Sequence, residues 1–187
     1  NTFGLVFVTG ITITNKLYYL FEIAGNSLGL SVATFVSQNH GARKNDRVIK
    51  AFKSSLLFSI GVSIVISFIM IVFGKNFIML FVDKNVSNIN EIIKVAYDYL
   101  FTMVMFLWVL YSLHIIRSSL QGLGNTVVPL YSSIIELIVR VSFIMVLPKI
   151  IGVNGVYITE VLAWIFSVVI LSYGLYRMFM LIRNEVD

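Results

Sequence analysis

Residues 54–73 read SSLLFSIGVSIVISFIMIVF, an uncharged stretch of 20 residues. A membrane-spanning helix needs about 20 predominantly apolar residues, because each residue advances the helix by about 1.5 Å across a hydrocarbon core of about 30 Å. The stretch therefore predicts a helix that crosses a bilayer. We place this helix at residues 46–73, since Asp46 suits a first helical turn and Gly74 follows the last apolar residue.

The rest of the chain is also strongly apolar. Of the 187 residues, 58% are hydrophobic and 12% are charged, whereas an ordinary soluble domain carries about 25% charged residues. Further apolar stretches predict helices at residues 8–39, 91–120, 127–147 and 155–182. We therefore predict an all-α, polytopic transmembrane bundle of about five spans, in which residues 1–187 form a single lobe surrounded by lipid.

Turn signals separate these predicted helices. Gly41 can adopt the left-handed conformation that ends the first helix. Pro129 suits the first turn of the fourth helix, and Pro148 is expected to end that helix. Residues 152–155, GVNG, predict a tight turn into the fifth helix.

Basic residues are concentrated just after the first helix, at positions 43, 44, 47, 50 and 53, where Asp46 alone opposes them. Lys and Arg in short loops favour the cytoplasmic side of a membrane. We therefore expect an integral protein of the plasma (inner) membrane, with this loop and the C-terminus in the cytoplasm and Asn1 outside. Because the bases lie in one loop rather than on a broad face, we expect no nucleic-acid partner.

Sequence motifs for catalysis and metal binding are absent. The chain has no cysteine, which excludes disulfides and thiolate metal sites. It also has no metal-binding spacing, P-loop, dinucleotide fingerprint or nucleophile constellation. We therefore expect a protein that is not an enzyme and has no cofactor, with Na⁺ or H⁺ as a coupling ion.

Five short motifs occur in an order and spacing similar to those of one transporter family. They are VSQNHGAR at 36–43, QGLGNTVVP at 121–129, ELIVR at 136–140, GVNGVY at 152–157 and AW at 163–164. Together they resemble the C-terminal lobe of the multidrug and toxic compound extrusion (MATE) family. The motifs extend over nearly the whole chain.

The resemblance implies one lobe of a two-lobed, twelve-helix transporter. The chain would supply the eighth to twelfth helices, with the seventh before Asn1, and it would work with an N-terminal lobe of the same protein. The start without Met agrees with a fragment. The implied activity is secondary active transport, a cation-coupled antiport that exports drug-like or amphipathic organic cations by alternating access. The third helix departs from some relatives, because residues 106–113 carry no acid for Na⁺.

Ionisable side chains at membrane depth are the first candidates for function, because they are costly to bury. Glu136 and Arg140 stand four residues apart and are expected to pair on one helix. That pair either neutralises itself or opens to exchange Arg140 for a cation or proton. Glu22 has no natural partner on its own helix and is the best candidate for binding a coupling ion. Its alternatives are a water-filled cavity or a partner on another helix.

Other candidates line a possible substrate path. Asn26 and Ser27 follow Glu22, and the aromatic rings of Tyr99, Trp108 and Tyr111 can offer faces to organic cations, although core or lipid-facing positions would explain them as well.

Five residues have structural interpretations. Gly25 and Gly29 form a Gly-x-x-x-Gly pattern that favours close helix packing. Glu160 is expected to reach the outer interface. Arg117 is expected to lie near the cytoplasmic interface, with His114 as a hydrogen-bonded packing residue.

Two alternative functions stay open at this point. A lipid-linked saccharide flippase of the same broad architecture would need several basic residues in its cavity. A non-transporting membrane scaffold subunit would explain the ion pair and the glycine pattern equally well, and an intramembrane enzyme is the least supported. The discriminating observation is whether Glu22, Asn26 and Glu136 face one polar cavity.

Overall fold

The computed structural model describes residues 4–82 and 88–184, and both chain termini lie outside this part. The described residues form six α-helices, without a β-strand. The predicted all-α fold is therefore confirmed. The helices are α1 (Gly4–Gly41), α2 (Asn45–Met79), α3 (Ile89–Met105), α4 (Leu107–Gly122), α5 (Val127–Ile151) and α6 (Val153–Asn184).

The prediction of one continuous third helix at 91–120 is wrong. The helix breaks at Phe106, where α3 and α4 meet at a bend of 50°. A break frees backbone carbonyls that a continuous helix would satisfy, and a bilayer offers no water to replace the lost bonds. The hydroxyl of Ser67 on α2 donates a hydrogen bond to one of them, the carbonyl of Val104, at 2.7 Å.

Three predicted helix ends also differ from the structure. Helix α2 continues through Gly74 to Met79, and α5 continues through Pro148 to Ile151. Proline is tolerated in membrane helices when neighbouring groups satisfy the freed carbonyl. The left-handed residue after α1 is Arg43, with φ 57°, rather than Gly41.

A tight turn joins α5 to α6, but it consists of Gly152 alone rather than of residues 152–155 as predicted, because α6 already begins at Val153. Gly152 has φ 62°, which glycine adopts without a steric penalty. At Gly155, a Cβ atom would lie 2.6 Å from the carbonyl oxygen of Leu147. The two helices therefore form a closely packed antiparallel hairpin, and a larger residue at position 155 would push it apart.

Three of the described helices are long and apolar enough to cross a membrane: α1, α2 and α6. The bent pair α3 and α4 makes a fourth if it crosses as one span. Helix α5 carries Glu136, Arg140 and Lys149 within 25 residues and is not among these candidates. The count of about five spans therefore rests on α5, whose crossing stays a prediction.

Helix α4 lies at the centre of the bundle and is held closely by α1. A Cβ atom at Gly29 would lie 2.6 Å from Oγ of Ser118, and one at Gly25 would lie 3.2 Å from the ring of Tyr111. The hydroxyl of Tyr111 donates a hydrogen bond to the carbonyl of Phe21 at 3.0 Å. The prediction that the glycine pair permits close packing is confirmed.

Candidate functional site

A cavity of about 600 Å³ opens between α1, the α3–α4 pair and the α5–α6 hairpin. Its polar and charged lining comes from all of these helices. The lining includes Asn15, Tyr18, Tyr19 and Glu22 of α1, Tyr99 of α3, His114 and Arg117 of α4, Glu136 and Arg140 of α5, and Thr159 and Glu160 of α6. This concentration of ionisable groups inside an apolar bundle makes the cavity the candidate functional site.

Four of the charged side chains form one continuous chain of ion pairs across three helices. Nη2 of Arg117 lies 2.9 Å from Oε2 of Glu136, and Nη2 of Arg140 lies 3.2 Å from Oε1 of the same carboxylate. Arg140 also contacts Oε2 of Glu160 at 2.8 Å. Two guanidinium groups thus balance two carboxylates, so this chain of ion pairs is electrically neutral.

The structure extends one prediction here and overturns two. The predicted pair of Glu136 and Arg140 within α5 is confirmed. Glu160 does not reach out to the interface as expected, because the α5–α6 hairpin places it beside Arg140. Arg117 likewise turns to Glu136 rather than to interfacial water. Pairing inside the cavity replaces the hydration that an interface would have supplied.

Glu22 lines the same cavity but stands outside the chain of ion pairs. Its side chain is half-buried, and no salt bridge among residues 4–82 and 88–184 includes it. With the other four charges balanced, an ionised Glu22 gives these five groups a net charge of −1. The arrangement supplies a single uncompensated carboxylate in a cavity lined by both polar and apolar side chains, which is suited to attract a cation.

Tyr99 is the one predicted substrate-path residue that lines the cavity, where its ring stacks on Tyr157 with centroids 5.2 Å apart. Asn26 and Ser27 are exposed away from the cavity, and the Ser27 hydroxyl bonds back to the carbonyl of Ile23. Asn26 and Ser27 therefore do not share the cavity with Glu22.

The two other predicted aromatic residues also lie away from the cavity. Trp108 is 49% exposed on the outside of α4. Tyr111 is fully buried, because the small Gly25 lets α1 close over its ring. Neither ring can contact a substrate held in the cavity in this conformation.

Sequence reasoning missed two aromatic residues of the cavity lining, Tyr18 and Trp164. Tyr18 lies one helical turn before Glu22, and its half-buried ring stacks on Trp164 at 5.9 Å between centroids, with Trp164 almost fully buried behind it. The four-residue spacing from Glu22 was the available signal. His114 lines the cavity and packs beside Gly25, as expected of a packing residue, but its buried Nε2 lacks the expected hydrogen-bond partner. The described residues hold no cluster of His, Asp and Glu suited to a metal ion.

The family model MatE matches residues 1–146. The chain belongs to the MatE family. Solved MATE structures also superpose closely on it, although their sequences are distant. A crystal structure of MATE in the bent conformation has a TM-score of 0.83 at 14% identity, and an inward-facing multidrug resistance MATE family transporter of the MOP superfamily has 0.82 at 14%. No curated protein matches the chain.

A third MatE-like fold belongs to a MOP superfamily transporter from Pyrococcus furiosus Vc1, with a TM-score of 0.80 at 15% identity. That transporter is described as having a binding pocket of reversed polarity, which suggests a different function for that protein. Each of the three superpositions covers 92% of this chain but only 38% of the solved one. This MatE-family chain therefore spans a partial lobe, as the motif order predicted, and the cavity lies inside that lobe.

Proposed function

We propose that this chain forms one lobe of a cation-coupled antiporter that exports amphipathic organic cations, with Glu22 as the group that binds the coupling ion. The main observation that supports this proposal is that the Glu22 carboxylate has no ion-pair partner and lies in the same cavity as an electrically neutral chain of ion pairs. Membership of a transporter family supports the general class. The coupling ion is Na⁺ or H⁺.

Competition for one negative charge links the two transported species. When a coupling ion occupies Glu22, the five charged groups of the cavity sum to zero and an organic cation gains no net attraction. When the ion leaves, the charge of −1 returns and favours the cationic substrate. Exclusive binding of two species at one charge is the minimum requirement for exchange by alternating access.

The aromatic wall supplies the surface for an organic cation. The rings of Tyr18, Tyr99 and Trp164 line the cavity together with Glu22, and Tyr18 presents the most ring surface, because Tyr99 and Trp164 are only 5% and 1% exposed. Aromatic faces attract cations more strongly when the site is shielded from water. A flat, singly charged, partly apolar molecule is therefore the substrate class that this lining suits best.

We further propose that an N-terminal lobe of the same protein completes the transporter, in the plasma (inner) membrane. The basic segment at 43–53 supports a cytoplasmic position for the turn between α1 and α2. The C-terminus would share that side, and Asn1 would lie outside. Alternating access would then consist of this lobe rocking against the other.

The competing functions fit the cavity less well. A flippase for lipid-linked saccharides needs free basic groups for a pyrophosphate, but Arg117 and Arg140 are both engaged by carboxylates. A scaffold subunit gives no reason for an uncompensated carboxylate in a cavity. Of the three residues chosen to discriminate, Glu22 and Glu136 share the cavity and Asn26 does not.

The test is efflux of a fluorescent organic cation by the full-length protein in membrane vesicles, under separate Na⁺ and H⁺ gradients. Glu22→Gln is expected to abolish gradient-driven efflux. Glu136→Gln should impair it less, because Glu136 acts by holding Arg117 and Arg140. Glu91→Gln, an exposed residue on α3 outside the cavity, is the matched control. Normal efflux by Glu22→Gln under both gradients would contradict the proposal.

A further inference from the structure

A second, separate groove of about 280 Å³ lies between α1 and α2, with Ile115 of α4 also in its lining. Its walls are two helical stripes with the same 4-then-3 spacing. One stripe runs through residues 28, 32 and 35 of α1, and the other through residues 51, 55 and 58 of α2. Six of the nine lining residues are apolar and the other three are serines, so the groove can hold a hydrocarbon chain.

Basic side chains stand at one end of this groove. Arg47 lies four residues before Ala51, and Lys50 lies four residues before Ser54. Each basic residue is therefore one helical turn closer to the start of α2 than a residue that lines the groove. Both are exposed, and no salt bridge in the described part of the chain includes either of them. One end of the groove therefore carries unpaired positive charge and the rest has an apolar lining. The distance along α2 from Arg47 to Phe58 is about 16 Å.

From this juxtaposition we infer a binding site for an anionic phospholipid. Arg47 and Lys50 hold the phosphate, and one acyl chain lies along Val32, Phe35 and Phe58. Basic residues next to a membrane helix attract anionic lipids, and an adjoining apolar groove adds a contact that a surface charge alone lacks. The site is independent of the cavity at Glu22 and of any transport activity.

Native mass spectrometry of the full-length protein tests the inference by counting retained lipids. The probes are dioleoyl-phosphatidylglycerol and dioleoyl-phosphatidylcholine, which differ only in the headgroup. The wild-type protein is expected to retain the anionic lipid preferentially. The double variant R47Q/K50Q should lose about 30-fold in affinity for it, since each basic residue near a membrane surface contributes about fivefold. Affinity for the zwitterionic lipid should not change.

The matched control is K53Q/R183Q, which removes the same charge from exposed positions outside the groove lining. It should leave retention of the anionic lipid unchanged. A second variant, Ser55→Phe, fills the groove and should displace the bound lipid without altering net charge, at an unfolding temperature close to that of the wild type. Equal retention of both lipids by the wild type, or equal losses in R47Q/K50Q and K53Q/R183Q, would overturn the inference.

Discussion

Replacing Arg140 by methionine should destabilise the protein more than the same change at Arg117. Arg140 bonds two carboxylates, at 3.2 Å to Glu136 and 2.8 Å to Glu160, whereas Arg117 bonds one. Without Arg140, Glu136 still has Arg117, but Glu160 loses its only ion pair among the described residues. The variant therefore leaves an uncompensated carboxylate at membrane depth.

The size of the effect follows from exposure and bonding. Breaking a fully buried ion pair by removing one partner costs about 3–5 kcal/mol. The Arg140 side chain is 38% exposed and Glu160 is 27% exposed, so water in the cavity offsets part of that cost. We expect a loss of about 2 kcal/mol for Arg140→Met, within the range for hydrogen bonds to charged groups. Arg117→Met should cost about 1 kcal/mol, because each remaining charge keeps a partner.

A double-mutant cycle with Glu160→Gln isolates the interaction. Glu160→Gln removes the carboxylate that Arg140→Met would strand, so the double variant should lose less than the sum of the two single changes. A coupling of about 1 kcal/mol or more is expected. Loss of the folded fraction on heating in detergent, at one fixed scan rate, ranks the variants even when unfolding is irreversible. Equal losses for Arg140→Met and Arg117→Met, with no coupling to Glu160→Gln, would refute the reasoning.

Two further stability predictions use the same assay. Gly29→Ala should destabilise the protein by about 1–3 kcal/mol, because its Cβ would lie 2.6 Å from a serine hydroxyl of α4. Gly61→Ala should be neutral or stabilising, because a Cβ there would have nothing within 4 Å. Equal effects at the two sites would contradict the close α1–α4 packing. Ser67→Ala should cost about 1 kcal/mol, because it leaves the Val104 carbonyl at the bend without its hydroxyl donor. Ser63→Ala should cost less, because the Ser63 hydroxyl bonds only within its own helix, and a larger loss at Ser63 would count against the role of Ser67.

The apolar runs were sufficient to predict the helical fold, but not the bend at Phe106. A sharp bend in a helix usually has proline or glycine as its sequence signal, and residues 99–113 contain neither. A carbonyl at the bend is instead bonded by a hydroxyl from another helix, that of Ser67, which no local pattern reveals. Pro148 shows the reverse case, since a strong local signal for a helix end is overridden by the packed hairpin.

The candidate site was predictable only where its partners are close in sequence. The pair of Glu136 and Arg140 follows from their four-residue spacing. The contact of Arg140 with Glu160 depends on the register of the α5–α6 hairpin. The contact of Arg117 with Glu136 depends on how α4 packs against α5. Glu22 was correctly recognised as unpaired on its own helix. For Tyr111 the sequence left a core position and a substrate-path position open, because the glycine beside it, rather than the tyrosine itself, determines its burial.

The central claim is that Glu22 binds the coupling ion and the cationic substrate in turn. It is tested most directly by measuring ion release when an organic cation is added to the purified full-length protein. A pH indicator in weakly buffered detergent detects H⁺, and preloaded radioactive sodium detects Na⁺. The wild-type protein should release one of these ions on substrate binding, and Glu22→Gln should release neither. Undiminished release of the same ion by Glu22→Gln would contradict the claim.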